Sequence, residues 1–290
     1  MKTSTKIGIG IAAFLGLLIV LGFFGLIFVL MDKAVFADKI PFMGKRVAIL
    51  NIKGIILESR YIVDLLHEYE ENPAVGAIVL RINSGGGSAA ASQEIYQEIK
   101  KARERGKKVV ASIESVGASG AYYIAMAADS IMANPSTAVG SIGVLIETQN
   151  FQELLNKIGI KLNVIKSGKY KDIGSVSREM TEEERKILQD LIDDVYNQFV
   201  EDVASSRQIE IEEVKKLADG RIFTARQALD YGLIDRLGTL DDAVNLAGEL
   251  GGIKGKPKIL EEAEEDYGFF DLFSKALNNL VRPEMRIMYR

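Results

Sequence analysis

An α/β domain built on a parallel sheet, tethered behind an N-terminal transmembrane helix, is what this chain predicts, and three observations carry it. Apolar runs of strand length alternate with amphipathic helical stretches from Val47 onward. Several runs, such as Ala77-Ile78-Val79-Leu80-Arg81-Ile82, are apolar almost without interruption, as strands buried on both faces are. Ile7 to Met31 carries no charge and is long enough at helical rise to cross a bilayer core of about 30 Å.

The first expected element is that anchor. Lys2 and Lys6 precede it, while Asp32, Lys33, Asp38 and Lys39 follow as a balanced set, so the positive-inside bias predicts a cytoplasmic N-terminus. The bulk of the chain is then extracytoplasmic, held by a single pass at the cell membrane. Val35-Phe36-Ala37 offers small residues at a signal-peptidase position, but the apolar run exceeds the usual signal core, which favours an uncleaved anchor. Residues 1–31 read as tip and anchor, 32–46 as linker, 47–250 as the main domain and 251–290 as a C-terminal tail.

Within the domain, Val47 to Ile52 reads as a strand. Ser59 caps a helix with apolar residues at Ile62, Val63, Leu65, Leu66 and Tyr69, closed by Asn72-Pro73. The strand Ala77 to Ile82 leads through Asn83-Ser84-Gly85-Gly86-Gly87-Ser88 into a helix from about Ala89 to Arg103. Val109 to Ile113 is a strand, Gly117-Ala118-Ser119-Gly120 a turn, and Ile124 to Ala128 the start of a helix. Parallel β-turn-α units place sites at the carboxyl ends of their strands, so these two glycine turns should be neighbours. Beyond them, Ser130 to Asn134, Gly143 to Ile146 and Lys161 to Ile165 read as short strands, and Phe151 to Ile158 as a helix. Thr181 and Glu184 have capping-box spacing and open a long helix whose apolar stripe, Ile187 to Phe199, should face the core. A helix near Ala243 to Leu250 ends the domain, and the tail reads as a docked C-terminal helix.

Composition narrows the chemistry. A net charge of −4 with interspersed signs gives no basic stripe for nucleic acid, and the hydrophobic fraction of 48% supplies a full core. The chain has no cysteine and one histidine, His67, so thiol chemistry and multi-histidine metal sites are excluded. Ser119, flanked by glycines at a strand-to-helix turn, presents a hydroxyl beside unpaired helix N–H groups, which suits an acyl-transfer nucleophile as well as a plain helix cap. Gly85-Gly86-Gly87 lacks the lysine and spacing of a phosphate loop; its N–H groups suit a developing oxyanion, together with that of Gly120. A serine needs a base. That is either His67 or a lysine, and Lys166, Lys169 and Lys171 lie close enough in sequence for mutual repulsion to depress one of them. Residue patterns alone reach a serine hydrolase or acyl-handling α/β protein, with its base open.

Five segments resemble a known family: Leu80 to Ser88, Gly117 to Ala125, Gly140-Ser141-Ile142-Gly143-Val144, Lys166-Ser167-Gly168-Lys169-Tyr170-Lys171-Asp172, and Leu217 to Thr224 with Gly232-Leu233-Ile234-Asp235. In order from about Val47 to Leu250 they are similar to the signal peptide peptidase A (SppA) family of serine peptidases. The resemblance implies a Clp protease/crotonase-like fold of repeated ββα units and a Ser-Lys dyad. Ser119 matches the nucleophile, Lys171 the general base and Gly86 the oxyanion-hole glycine, with the Gly120 amide as second donor by position. It also implies an ATP-independent endopeptidase without cofactor that degrades remnant signal peptides or other short hydrophobic peptides. The expected assembly is a homo-oligomer whose sites combine a serine and a lysine from neighbouring subunits. Gly85 stands where the family usually has proline, and Ala225 where glycine is common. A catalytically inactive scaffold of this fold and an acyl-CoA-handling protein are the alternatives.

Overall fold

The computed structural model describes residues 20–21, 44–261 and 288–289, the last two by backbone alone. The expected anchor, Ile7 to Met31, lies outside the described residues apart from Val20 and Leu21, as does the tail apart from residues 251–261 and Met288–Tyr289. Among the described residues no helix is long and apolar enough to cross a membrane.

The elements alternate as the hydrophobic pattern predicts. They run β1 (Arg46–Ile56), α1 (Arg60–Glu71), β2 (Val75–Ser88), α2 (Ala89–Glu104), β3 (Lys108–Ala118), α3 (Gly120–Ala125), β4 (Ser130–Ala133) and β5 (Ala138–Gly140). Then come α4 (Gln152–Lys157), α5 (Glu182–Arg207), α6 (Ile211–Leu217), β6 (Ile222–Thr224), α7 (Ala225–Asp230), β7 (Arg236–Leu237), α8 (Leu240–Leu250), β8 (Lys258–Glu261) and β9 (Met288–Tyr289). The sheet order is β6-β5-β3-β2-β1-β8, with β4 joined to β3 and β7, and β9 to β2. Pairing is parallel except for β5 with β6 and β2 with β9.

Both faces of the sheet are covered. Leu50, Ile52, Ile78, Leu80, Ile82 and Ile113 point to one face, where they pack with Leu66, Ile95, Tyr122 and Phe199 from the helices. Val47, Ile49, Val79 and Val110 point to the other, under Ala243, Val244 and Ala247 of α8. This two-sided burial is why β1, β2 and β3 read as unbroken apolar runs.

Three expectations are corrected. Gly143 to Ile146 contains only an isolated bridge at Leu145; the strand forms earlier, at Ala138–Gly140, where it pairs with both β3 and β6. Lys161 to Ile165 forms no strand: Leu162 and Val164 alternate, but no strand among the described residues pairs with them, and they stay more than half exposed. The apolar stripe of α5 faces the core only at its C-terminal end, where Phe199, Val200 and Val203 are buried, whereas Ile187 and Leu191 stand exposed. Its capping box is present in full, with Thr181 Oγ1 accepting from the Glu184 N–H and the Glu184 carboxylate from the Thr181 N–H.

Candidate active site

The two glycine turns meet at the carboxyl ends of β2 and β3. Ser84 is level with Gly117 in the parallel register, and two residues further along each chain come Gly86 and Ser119. Both glycine stretches, expected as turns, stay paired in the sheet as far as Ser88 and Ala118 and end side by side. Gly117 has to be small for this, because a Cβ there would lie 2.6 Å from Ile113 Cγ2.

Ser119 sits between β3 and α3 at φ 54°, ψ −120°, a conformation that costs a non-glycine residue about 1–3 kcal/mol. The surrounding backbone holds it there. Its N–H donates to the Gly140 carbonyl at 2.7 Å, and its own carbonyl accepts from the Tyr123 N–H at 2.8 Å. Helix α3 is in turn pinned from behind: Tyr122 Oη donates to the Leu233 carbonyl at 2.8 Å, and burial pushes the Tyr122 phenol well above its ordinary range. The Tyr123 ring meets those of Tyr96 and Phe199 edge-on, each at 4.9 Å between centroids, and its hydroxyl bonds Asp202. The Ser119 hydroxyl itself is buried and has no hydrogen-bond partner among the described residues. A buried polar group in that state costs about 1–3 kcal/mol, and strain and orphaned polarity together mark a position kept for something other than stability.

Gly86 takes φ 100°, which a residue with a side chain rarely adopts, and its N–H donates to Ser84 Oγ at 3.0 Å. Reaching an oxyanion requires that amide to leave the buried Ser84 hydroxyl. The Gly120 N–H belongs to the first turn of α3, where amides lack an intrahelical acceptor. Gly85 needs no special freedom: its φ is not positive, and a Cβ there would meet nothing within 4 Å.

The lysine loop separates its three ammonium groups. Lys166 Nζ donates to the Lys169 carbonyl at 2.9 Å and pairs with Asp172, while Lys169 pairs with Glu183. The Glu183 hydrogen bond raises the Lys169 pKa, so the mutual repulsion expected among the three is offset for these two by carboxylates. Lys171 is exposed, and no hydrogen bond or ion pair of its side chain occurs among the described residues. The loop around it is clamped by Arg178, which the sequence reading missed. Arg178 Nε and Nη2 donate to the Asp172 carboxylate at 3.1 and 2.9 Å, and Nη1 donates to Glu184 at the start of α5 at 2.8 Å. Those bonds hold the Asp172 carboxyl far below its usual range and bring Glu184 to about 2.

The structure thus brings Ser119, Gly86 and Gly120 together, while Lys171 lies on an exposed loop and Ser119 is inaccessible to solvent. His67 is occupied elsewhere, with Nε2 3.1 Å from Glu98 on α2. Among the described residues no three of His, Asp and Glu converge to hold a metal ion. A polar cavity of about 400 Å³ opens near Asp129 and Arg207. Asp129 Oδ2 accepts from the Val109 N–H at the amino end of β3, so that cavity belongs to the other end of the sheet.

The sequence model of peptidase family S49 matches residues 101–254. A Synechocystis protein whose name assigns it provisionally to the proteases is 46% identical over 223 residues, 76% of this chain and 80% of that one. A serine protease of Arabidopsis thaliana chloroplasts, SPPA, is 33% identical over 211 residues, 72% of this chain and 31% of that protein. A protein of Enterococcus faecium with a provisional SppA name is 34% identical, over 70% of this chain and 62% of its own length.

Proposed function

The chain belongs to peptidase family S49 and is a serine peptidase of SppA type, and from that premise we propose that Ser119 is its nucleophile and Lys171 of a neighbouring copy its base. The observation that carries the reading is the Ser119 hydroxyl: strained, buried, unpartnered, and set beside the Gly86 turn and the first amides of α3. Lys171 is supported by its loop, in which Lys166 and Lys169 are committed to carboxylates and Lys171 is not. Packing against a second copy would take exposed Lys171 out of water and bring it to a serine that its own chain encloses. Exposed apolar side chains at Leu154, Ile158, Leu162, Val164, Ile165 and Leu191 support such an assembly.

In this reading neutral Lys171 accepts the Ser119 proton as Oγ attacks the peptide carbonyl. The Gly120 amide, and the Gly86 amide on leaving Ser84, receive the oxyanion. The Lys171 ammonium then protonates the departing amine. Water, giving a proton to Lys171, cleaves the acyl ester and frees Ser119. Ile55, level with Gly86, and Ile222, level with Gly140, are each about 60% exposed and favour short apolar peptides, including cleaved signal peptides. The uncharged Ile7–Met31 segment would hold the peptidase as a single-pass protein with its domain extracytoplasmic, where such peptides arise.

Hydrolysis of a fluorogenic apolar peptide tests the assignment. Ser119→Ala and Lys171→Ala should each lose roughly a thousandfold or more in kcat. Co-assembly of the two inactive variants should return about a quarter of the wild-type rate, because mixed interfaces pair an intact serine with an intact lysine. A wild-type rate in either single variant removes that residue from the chemistry, and a silent mixture places the dyad within one chain.

A further inference from the structure

The amide of Gly86 is already engaged in the resting chain, and its partner is a side chain to which the hydrolytic steps give no role. The Gly86 N–H donates to Ser84 Oγ at 3.0 Å, two residues back along β2. Ser84 is 1% exposed, and no other hydrogen bond of its hydroxyl occurs among the described residues. The backbone around this bond is built to let it go. Lys53 is level with Asn83 but Ile55 with Gly86, so β2 carries one residue more than β1 across this step. Such a bulge gives the Gly85–Gly86 peptide slack between two fixed points. Asn83 is paired on one side, and on the other Gly87 is wedged against β1, where a Cβ would fall 2.1 Å from the Ile56 carbonyl oxygen. Between them Gly86 sits at φ 100°, and a Cβ on Gly85 would meet nothing within 4 Å. The Ser84 bond thus restrains one peptide unit and not the strand.

We propose that Ser84 is a positioning residue that latches the oxyanion hole: its Oγ holds the Gly86 amide in the empty site and yields it to a substrate carbonyl. The proposal rests on Ser119 as the nucleophile and Gly86 as an oxyanion donor. A buried amide without an acceptor is costly, so the latch stabilises the chain between turnovers. In the transition state the same bond has to be given up, and the oxyanion gains that much less from Gly86. One neutral hydrogen bond favours the latched state by roughly fivefold. Every acyl substrate meets the same open fraction, so each is slowed by the same factor. Ser84 therefore sets a ceiling on rate in return for a stable resting site, and it acts only through Gly86.

The test is Ser84→Ala in the full chain, which removes the acceptor and no reacting group. Its kcat/KM should rise roughly fivefold for an apolar peptide and for p-nitrophenyl acetate alike. A peptide boronate, which places a tetrahedral anion on Ser119, should bind tighter by the same factor. The matching peptide alcohol, which has no carbonyl to reach Gly86, should bind as to wild type. The urea midpoint should fall at the same time, because the Gly86 amide is left without its acceptor. A merely structural serine would lower rate and stability together. Should the alanine variant not fold, Ser84→Cys keeps a weaker acceptor, and its kcat/KM should rise about twofold. With wild type active, an unchanged or lower kcat/KM in the folded variant overturns the latch and leaves Ser119 standing. If wild type hydrolyses neither substrate and takes no boronate, the Ser119 reading falls and the latch falls with it.

Discussion

The Ser119 N–H donates to the Gly140 carbonyl at 2.7 Å, so the strained backbone of Ser119 is fixed by β5 and not by its own strand alone. Gly140 sits at φ 99°, and a Cβ there would come within 2.8 Å of the Phe223 ring. Gly140→Ala therefore forces both a left-handed alanine and a shift of Phe223, and should lower unfolding free energy by about 2–4 kcal/mol. Because Gly140 also carries the acceptor for Ser119, acylation of Ser119 by an active-site probe should slow more than tenfold in the fraction that stays folded. A denaturation midpoint equal to wild type would show that the close packing around β5 is not required.

Ser119 itself should be a stability defect. Its backbone angles suit glycine, and its hydroxyl is buried without a partner. Ser119→Ala removes the orphaned hydroxyl and keeps the strain, for a gain of about 1 kcal/mol. Ser119→Gly removes both, less the entropy of a freer unfolded chain, for a gain of roughly 1–2 kcal/mol. Urea unfolding should rank glycine at least level with alanine and both above wild type, with hydrolysis lost in both. If wild type proves the most stable of the three, the strain is not real.

The order of strands and helices was legible because burial on two faces writes continuous apolar runs, as in Ile78 to Leu80, and caps such as Thr181 mark helix starts. Strand ends were not. β2 and β3 run on through Ser84 to Ser88 and Glu114 to Ala118, since glycines that read as turn residues are paired across the sheet with Ile55, Ile56 and Val139. Lys161 to Ile165 has strand-like alternation but no pairing strand among the described residues, and alternation alone does not make a strand. At the site, the glycine-flanked Ser119 and the neighbouring glycine turn followed from pattern. The choice among Lys166, Lys169 and Lys171 did not, because it depends on Asp172, Glu183 and Arg178, whose partners are fixed only by the folded loop. Met288–Tyr289 carries no local signal at all, since two residues are too few to show a period.

Arg178 is the anchor of the loop that carries Lys171, and its effect is readable in acid. It bonds Asp172 and Glu184 together, with Lys166 adding to the first carboxylate and the Thr181 N–H to the second. Both carboxyls lie below their unfolded values of about 3.9 and 4.3, Glu184 at about 2. On acidification the unfolded chain takes up these protons first. The stabilisation is therefore fully present above about pH 4.5 and is lost as pH falls toward about 2. Arg178→Leu should return both carboxyls toward ordinary values, so the pH dependence of unfolding between about 4.5 and 2 becomes shallower. At neutral pH the same variant should lose roughly tenfold in kcat, because the Lys171 loop is no longer tied to α5, and Arg178→Lys should recover part of that loss. Circular dichroism across the acid range and peptide hydrolysis at neutral pH read the two effects separately. Acid curves that superimpose for wild type and Arg178→Leu would show that this clamp does not hold the loop.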